Sequence, residues 1–307
     1  MRPEAGTKEL GWNRIDCLKD CVKSLLKINY PNYEIIVVDN ASTNGSPEEV
    51  ERNFDSVKLI RNKENLGYAE GNNVGIKYAI EKGADYVLLL NDDVVVEPNI
   101  LRELVEVAES DPEIGIAGPR ILCFEEAERL YQQYGRVNYY FNVHHKNLYE
   151  ISKPTKVDVV YGTALFVKKE VIEKVGFLDT NFFLYLEEAD WCRRAKKAGY
   201  KIVHVPSARV YHKVFKSFSG RINLVVLYYN TRNELLFARK HLNPLLFFPL
   251  WIPRFIYRII RYWFKTRNTQ VVKAILKGFF DFAKNRFGKS DMFDPNKVQK
   301  GIACQST

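Results

Sequence analysis

Two acidic clusters in the 307-residue chain carry the residue types that bond-making at polar centres needs. Asn91-Asp92-Asp93 follows the apolar run Tyr86-Val87-Leu88-Leu89-Leu90 and precedes Val94-Val95-Val96-Glu97. Glu187-Glu188-Ala189-Asp190 follows Phe182–Tyr185 and opens a polar, helix-forming stretch. Adjacent carboxylates at the end of a buried strand have two uses. They hold a hard divalent cation, or they cap the next helix. Acids at the start of a helix favour its dipole, and a carboxylate there can also take a proton as a general base.

Apolar spacing predicts the elements that position these groups. Continuous apolar runs read as buried strands at Glu34–Val38, Val57–Arg61, Tyr86–Leu90, Ile114–Gly118, Asp158–Val167 (around Gly162-Thr163) and Tyr200–Val205. Helical spacing marks residues 15–29, a helix from about Pro47, one that follows Asn65–Asn73 and ends at Gly83, then Glu97–Ser110, Lys169–Val175 and a helix from Glu187 to Ala198. Strand and helix alternate with short loops over the first 120 residues, which predicts a parallel sheet with crossover helices. Asp92 and Asp93 then lie where a central strand ends, the edge at which ligands collect in open α/β sheets. No register is readable over residues 124–156.

The composition is that of a globular protein, 46% hydrophobic and 27% charged. The net charge of +9 is unevenly placed: residues 239–289 hold twelve Lys/Arg against Asp281 alone, so the remainder is slightly acidic. Leu245–Trp251 is apolar and aromatic, but Pro249 and Pro253 interrupt it and Arg254, Arg258 and Arg261 follow. That pattern is too charged for a spanning helix and suits an interfacial segment on anionic lipid. A helical hairpin packed on the core is the alternative. Nucleic-acid binding through the same basicity is not expected, because no binding module accompanies it. Cys17, Cys21, Cys123, Cys192 and Cys304 are scattered and read as buried free thiols in a reducing compartment. Met1–Leu10 is polar, unlike a secretory signal.

Four motifs occur together and in order: Val37-Val38-Asp39-Asn40-Ala41-Ser42, Asn65-Leu66-Gly67-Tyr68-Ala69, Leu89-Leu90-Asn91-Asp92-Asp93 and Tyr185-Leu186-Glu187-Glu188-Ala189-Asp190. Together they resemble the family 2 inverting glycosyltransferases, and within these the rhamnosyltransferase-like branch that builds surface polysaccharides. The resemblance covers roughly residues 12–240. It implies an α/β fold of the GT-A nucleotide-diphospho-sugar transferase type: a mostly parallel central sheet with flanking helices, plus a C-terminal helical appendage. Residues 1–240 would form the transferase domain and 241–307 the basic, aromatic-rich membrane-surface segment and tail. The enzyme would sit in the cytoplasm, peripheral on the inner face of the cell membrane. It would move a sugar, rhamnose among the candidates, from a nucleoside-diphosphate donor to a lipid-linked or polysaccharide acceptor.

The same resemblance distributes roles. Asp39 would accept a hydrogen bond from the base, while Asn65, Gly67 and Asn73 border the donor pocket. Asn91 would lie near the ribose, with Asp92 beside it. Asp93 would hold Mg²⁺ or Mn²⁺, and His212, which alone reads as structural, would complete the metal or diphosphate site. Glu188 would be the general base, with Glu187 and Asp190 as alternates. Gly162-Thr163 would line the acceptor side. The chain departs from the family pattern with Asn91 in the first position of the Asp-x-Asp motif and Glu188 where Asp is usual. It also departs ahead of Trp12-Asn13, where a buried first strand is expected and Arg2–Leu10 brings Arg2, Glu4, Lys8 and Glu9. Charges of that kind are costly inside a sheet, so the first strand reads as missing or degenerate. A catalytically impaired nucleotide-sugar-binding relative is therefore the rival reading, followed by a nucleotidyltransferase.

Overall fold

The computed structural model describes residues 15–126, 129–132, 135–137, 143–145, 151–213 and 224–293. The expectations placed on Arg2–Leu10, Trp12-Asn13 and Cys304 lie outside these residues. The described residues begin with α1 (Ile15–Leu25), and strands then alternate with helices through β1 (Ile35–Asp39), α2 (Ser46–Asn53), β2 (Val57–Arg61), α3 (Gly67–Glu81), β3 (Tyr86–Leu90), β4 (Val94–Val96) and α4 (Ile100–Glu109). β5 (Ile114–Cys123) follows, then the short β6 (Leu130–Gln132), the hairpin β7 (Gly135–Val137) and β8 (Val143–His145), and β9 (Thr155–Val157). β10 (Ala164–Lys168), α5 (Lys169–Val175), α6 (Glu187–Lys197) and β11 (Lys201–His212) complete the α/β part. α7 (Leu224–His241), α8 (Pro244–Thr266) and α9 (Thr269–Ala283) form the helical end.

β1 and β2 make a parallel pair of their own. The larger sheet runs β3-β10-β5-β11-β4, with β6 on β5 and β9 on β11. It is more mixed than the expected mostly parallel sheet. β10 inserts antiparallel between β3 and β5, and β4 pairs antiparallel with β11; among the described residues of this sheet only β5 and β11 pair in parallel. β3, β5 and β11 nevertheless run the same way, because β10 is antiparallel to both its neighbours. The two runs Tyr200–Val205 and Arg209–His212 join into one strand, β11, with a register shift between Val205 and Arg209.

One local difference decides a question left open by the sequence. β4 lies between Asp93 and the next helix, so α4 begins only at Ile100, with Asn99 at its N-cap. Asp92 and Asp93 therefore cap no helix. Likewise α2 is preceded by Gly45 at φ 83° and not capped by Asp39.

The helical end is tied to the core. Gly278 of α9 sits so close to α7 that a Cβ there would lie 2.6 Å from the Tyr228 carbonyl oxygen, an approach only glycine allows. Arg258 Nη2 of α8 donates to both carboxylate oxygens of Glu234 of α7, each at 2.8 Å. Pro249 and Pro253 fall inside α8, which continues through them. Each removes a helical hydrogen bond; burial of Phe247 and Trp251 against Leu235 and Ala238 offsets the loss.

Candidate active site

Asp93 and His212 meet because of strand register. His212 pairs with Val94 across the β4–β11 ladder, which sets its ring beside the residue just before β4. His212 Nε2 lies 3.3 Å from Asp93 Oδ1, and both side chains are buried. Among the described residues, Asp93 Oδ1 receives no hydrogen bond. Two ligand atoms that share an octahedral cation at about 2.1 Å sit about 3 Å apart when adjacent. The Asp93–His212 spacing fits that requirement. Among the described residues no cluster of three or more His, Cys, Asp or Glu side chains forms a complete cage. A pair of protein ligands completed by phosphate oxygens is the habit of Mg²⁺-type cations. Cys21 lies beneath: burial first, then the charges of Asp92 and Asp93, push its thiol well above the ordinary range.

Asn91 is fixed by its backbone. Its N–H donates to the Thr163 carbonyl at 3.1 Å. On the other side of the same segment, the Tyr68 hydroxyl donates to the Gly162 carbonyl. Gly162-Thr163 thus joins the end of β3 to the start of α3. Asn65 begins that helix with its Oδ1 accepting from Gly67 N–H at 2.9 Å. Gly67 is at φ 78°, and a Cβ there would lie 2.6 Å from the Phe183 carbonyl oxygen, so the position requires glycine.

Asp39 ends β1, and its carboxylate accepts the Ser42 N–H at 3.1 Å and 3.3 Å, closing the loop that follows. Asn40 donates to the Gly67 carbonyl at 3.0 Å. Asp39, Asn65, Asn91 and Asp92 line one cavity of about 650 Å³. Asn73 does not join them: its amide is taken up by both backbone groups of Leu178, at 2.9 Å and 3.0 Å. That residue holds α3 to the segment before α6.

The acid cluster rests on a strained approach. Phe183, Tyr185 and Leu186 have φ of 61°, 71° and 74°, and α6 starts directly at Glu187. Each such non-glycine position costs on the order of 1–3 kcal/mol and persists only where surroundings enforce it. α7 supplies the enforcement. The two N–H groups of Asn233 Nδ2 are shared among the carbonyls of Phe182, Leu184 and Tyr185, at 2.8–2.9 Å. Arg232 adds donations to Asn181 and Phe182 carbonyls at 3.1 Å and 2.9 Å. Sequence reasoning assigns no role to Arg232-Asn233-Glu234. Its signal was polarity inside a buried helix: Thr231, Arg232 and Asn233 are all essentially inaccessible.

Glu187 and Glu188 are buried at the first turn of α6, with 0% and 7% of their surfaces exposed. The charge of Glu188 reaches three groups around it. Burial first and then that charge push the Cys192 thiol up to about 12. The same pair of causes raises the Tyr161 phenol, and Glu187 and Glu188 both add to the burial that raises Tyr68. Asp190 points elsewhere. Its Oδ2 accepts from Arg194 Nε at 2.7 Å, and its Oδ1 faces Lys240 and accepts from His241 Nε2 at 2.7 Å. Burial would raise its carboxyl, but His241, Arg194 and Lys240 together hold it well below the usual range. Lys197 Nζ lies 3.2 Å from His241 Nδ1, and an ammonium only donates, so Nδ1 accepts there and Nε2–H is left to donate to Asp190; burial lowers the His241 imidazole. Asp190 is thereby a tie between α6 and α7.

A carboxyl depressed by folding stabilises the protein fully above its unfolded value, about 3.9, and loses that contribution as pH falls below it. Asp190→Asn is expected to cost about 3 kcal/mol at pH 7 by leaving Lys240 and Arg194 unanswered. Denaturant titrations of both proteins should show the difference narrowing steadily below pH ~4. A gap that stays constant with pH would contradict the assignment.

Known proteins of similar sequence and fold identify the family. The family model described as "Glycosyl transferase family 2" matches residues 12–176. The dTDP-rhamnosyl transferase RfbF of Shigella flexneri is 27% identical over 238 residues, covering 75% of this chain and 78% of the relative. The N-acetylglucosaminyl-diphospho-decaprenol L-rhamnosyltransferase of Mycobacterium tuberculosis is 27% identical over 202 residues, covering 58% of this chain and 66% of the relative. The mannosyltransferase PcManGT of Pyrobaculum calidifontis, solved with GDP-Man and Mn²⁺, superposes with a TM-score of 0.55 at 16% identity, covering 95% of this chain and 77% of that one. A nucleotide-sugar transferase fold with carboxylates gathered at its sheet edge, and a family match over more than half the chain, lead to one assignment: the protein is a glycosyltransferase of family 2 and is similar to its rhamnosyltransferases.

Proposed function

We propose that the protein transfers a sugar, with rhamnose the first candidate, from a nucleoside-diphosphate donor to a hydroxyl of a lipid-linked or polysaccharide acceptor, with inversion. The observation that carries this reading is the bridge at Gly162-Thr163. It bonds Asn91 on one side and Tyr68 on the other, and Tyr68 in turn lies within the field of Glu187 and Glu188. In this reading the acid pair of α6 and the Asp93–His212 pair would border one rim.

On that rim, Asp39, Asn65, Asn91 and Asp92 take the base and ribose end of the donor. Asp93 and His212 would hold Mg²⁺ or Mn²⁺, which supplies positive charge against the diphosphate. Glu188 accepts the proton of the acceptor hydroxyl as its oxygen bonds to the anomeric carbon. The bond from that carbon to the diphosphate oxygen breaks, and the nucleoside diphosphate leaves with the electron pair. A single displacement of this kind inverts the anomeric centre. Glu188 is preferred to Glu187 because it retains some exposure, and to Asp190 because that carboxylate is engaged by three cationic or donor groups.

The second element of the proposal is where the chain works. Residues 241–307 are the membrane-surface part, on the inner face of the cell membrane. No described helix is long and apolar enough to cross a bilayer. α8 instead carries Leu245, Tyr257 and Phe264 at 83%, 62% and 64% exposure, along with exposed Arg261 and Lys265. Apolar side chains beside cations suit a helix lying in the headgroup region of anionic lipid.

Release of nucleoside diphosphate in the presence of Mn²⁺ tests the chemistry. Glu188→Gln should lower kcat by roughly 10²–10⁴ with little change in donor KM. Asp93→Ala should abolish release. Variants that match the native rate would overturn the site. For the membrane, vesicles rich in phosphatidylglycerol should carry the protein up a density gradient while phosphatidylcholine vesicles do not. Ile256→Glu with Phe264→Glu should abolish that flotation, and equal failure of the native protein with both lipids would sink the proposal.

A further inference from the structure

Consecutive residues of α7 face different parts of the molecule. Successive side chains on a helix point about 100° apart, so Thr231 and Glu234 share one face while Arg232 and Asn233 turn away from it. The shared face meets α8. Arg258 Nη2 donates to both Glu234 oxygens, and its Nη1 donates to Thr231 Oγ1 at 3.4 Å. Trp251 Nε1 of the same helix donates to Glu234 Oε2 at 3.4 Å. Asn233 holds the loop before α6, and Arg232 holds that loop together with Gly288, whose carbonyl accepts from Nη1 at 2.7 Å. Gly288 N–H in turn donates to the Asn181 carbonyl at 2.9 Å. Residues beyond 240 therefore grip this turn of α7, or the loop it holds, through α8, through Gly278 of α9 and through Gly288.

The tie to α8 is well placed to control the clamp. The Arg258 and Glu234 side chains are 23% and 18% exposed, so either one left alone would be a poorly solvated charge. Removing Arg258 would favour any shift or roll of α7 that brings Glu234 to water. The loop tolerates little of that. An asparagine amide lies about 6 Å from its helix axis, so a roll of about 10° carries it about 1 Å. Bonds of 2.8–2.9 Å stretched by that much are no longer hydrogen bonds. The inner face of α8 also packs Phe255, Ile259 and Tyr262 on the core cluster that holds Phe183 and Leu184. Its outer face leaves Ile256, Tyr257, Ile260 and Phe264 exposed. One helix thus carries the proposed lipid contact on one side and the tie to α7 on the other.

We propose that Arg258 is a positioning residue for the transfer reaction, acting through Glu234 and Asn233 on the placement of Glu188. The helical segment after residue 240 is then part of the catalytic unit as well as its surface contact. The inference rests on the reading of Glu188 as the base.

The test compares Arg258→Leu and Arg258→Lys with a control, Ile259→Ala, which loses packing on the core from the same helix but keeps Arg258. One readout is nucleoside-diphosphate release with Mn²⁺ from a panel of dTDP-, UDP- and GDP-sugars. The other is hydrogen exchange at the amides of Phe182, Phe183 and Leu184. Arg258→Leu should lower kcat at least tenfold with donor KM unchanged, and should speed that exchange at least tenfold. Arg258→Lys, which keeps a cation for Glu234, should recover most of the rate. Ile259→Ala should lower Tm yet leave kcat and the loop amides near native values. Once Glu188 is glutamine, Arg258→Leu should cost less than twofold further. Native kcat or native loop exchange in Arg258→Leu would overturn the inference alone, as would a loss that persists in full in the Glu188→Gln background. An equal loss of kcat in Ile259→Ala would also overturn it, by reducing Arg258 to packing. Native protein that releases no nucleoside diphosphate from any donor would overturn the transfer reading, and this inference with it.

Discussion

A single side-chain amide, that of Asn233, holds three backbone carbonyls in the loop that delivers the acid pair of α6. The donations to Phe182, Leu184 and Tyr185 are what make three consecutive-loop departures into the left-handed region tolerable. Without them the loop could relax to ordinary backbone angles, and Glu187 and Glu188 would leave the position that the start of α6 gives them. Arg232 reinforces the clamp from the neighbouring position, its guanidinium stacked over the Tyr229 ring. A helix outside the sheet therefore sets the geometry of the carboxylates that open α6.

The other half of the rim is set by strand register. His212 meets Asp93 because β11 pairs with β4, and Asn91 is placed because its N–H reaches Thr163. Gly67 then lets the start of α3 approach Phe183, so the loop before α3 and the loop before α6 touch through backbone: Tyr68 N–H donates to the Phe183 carbonyl at 2.8 Å. Two halves that come from distant parts of the chain are locked to each other by hydrogen bonds that few substitutions could replace.

Much of this was legible from residue order. The strands ending at Asp39 and Leu90 stand within a residue of where their apolar runs place them, because a buried strand needs an unbroken apolar run. α6 opens at Glu187, where the acids announce a helix start. What could not be read were interactions between elements far apart in sequence. Asn73 shares the polar character of a pocket residue, but only the fold shows its amide spent on Leu178. Asp190 belongs to an acidic motif, and only the approach of α7 reveals that Arg194, Lys240 and His241 claim it. β4 was hidden because three valines are too short a run to separate from the helix that follows. The antiparallel insertion of β10 was equally hidden, since a single strand carries no mark of its direction.

In the proposed reaction, Asn233 acts on catalysis through the placement of Glu188. A double-mutant cycle on kcat measures this directly, with Asn233→Ala, Glu188→Gln and the pair compared at saturating donor. The clamp predicts that Asn233→Ala lowers kcat in the native background and costs almost nothing further once Glu188 is glutamine. Losses that multiply independently in the double variant would contradict it.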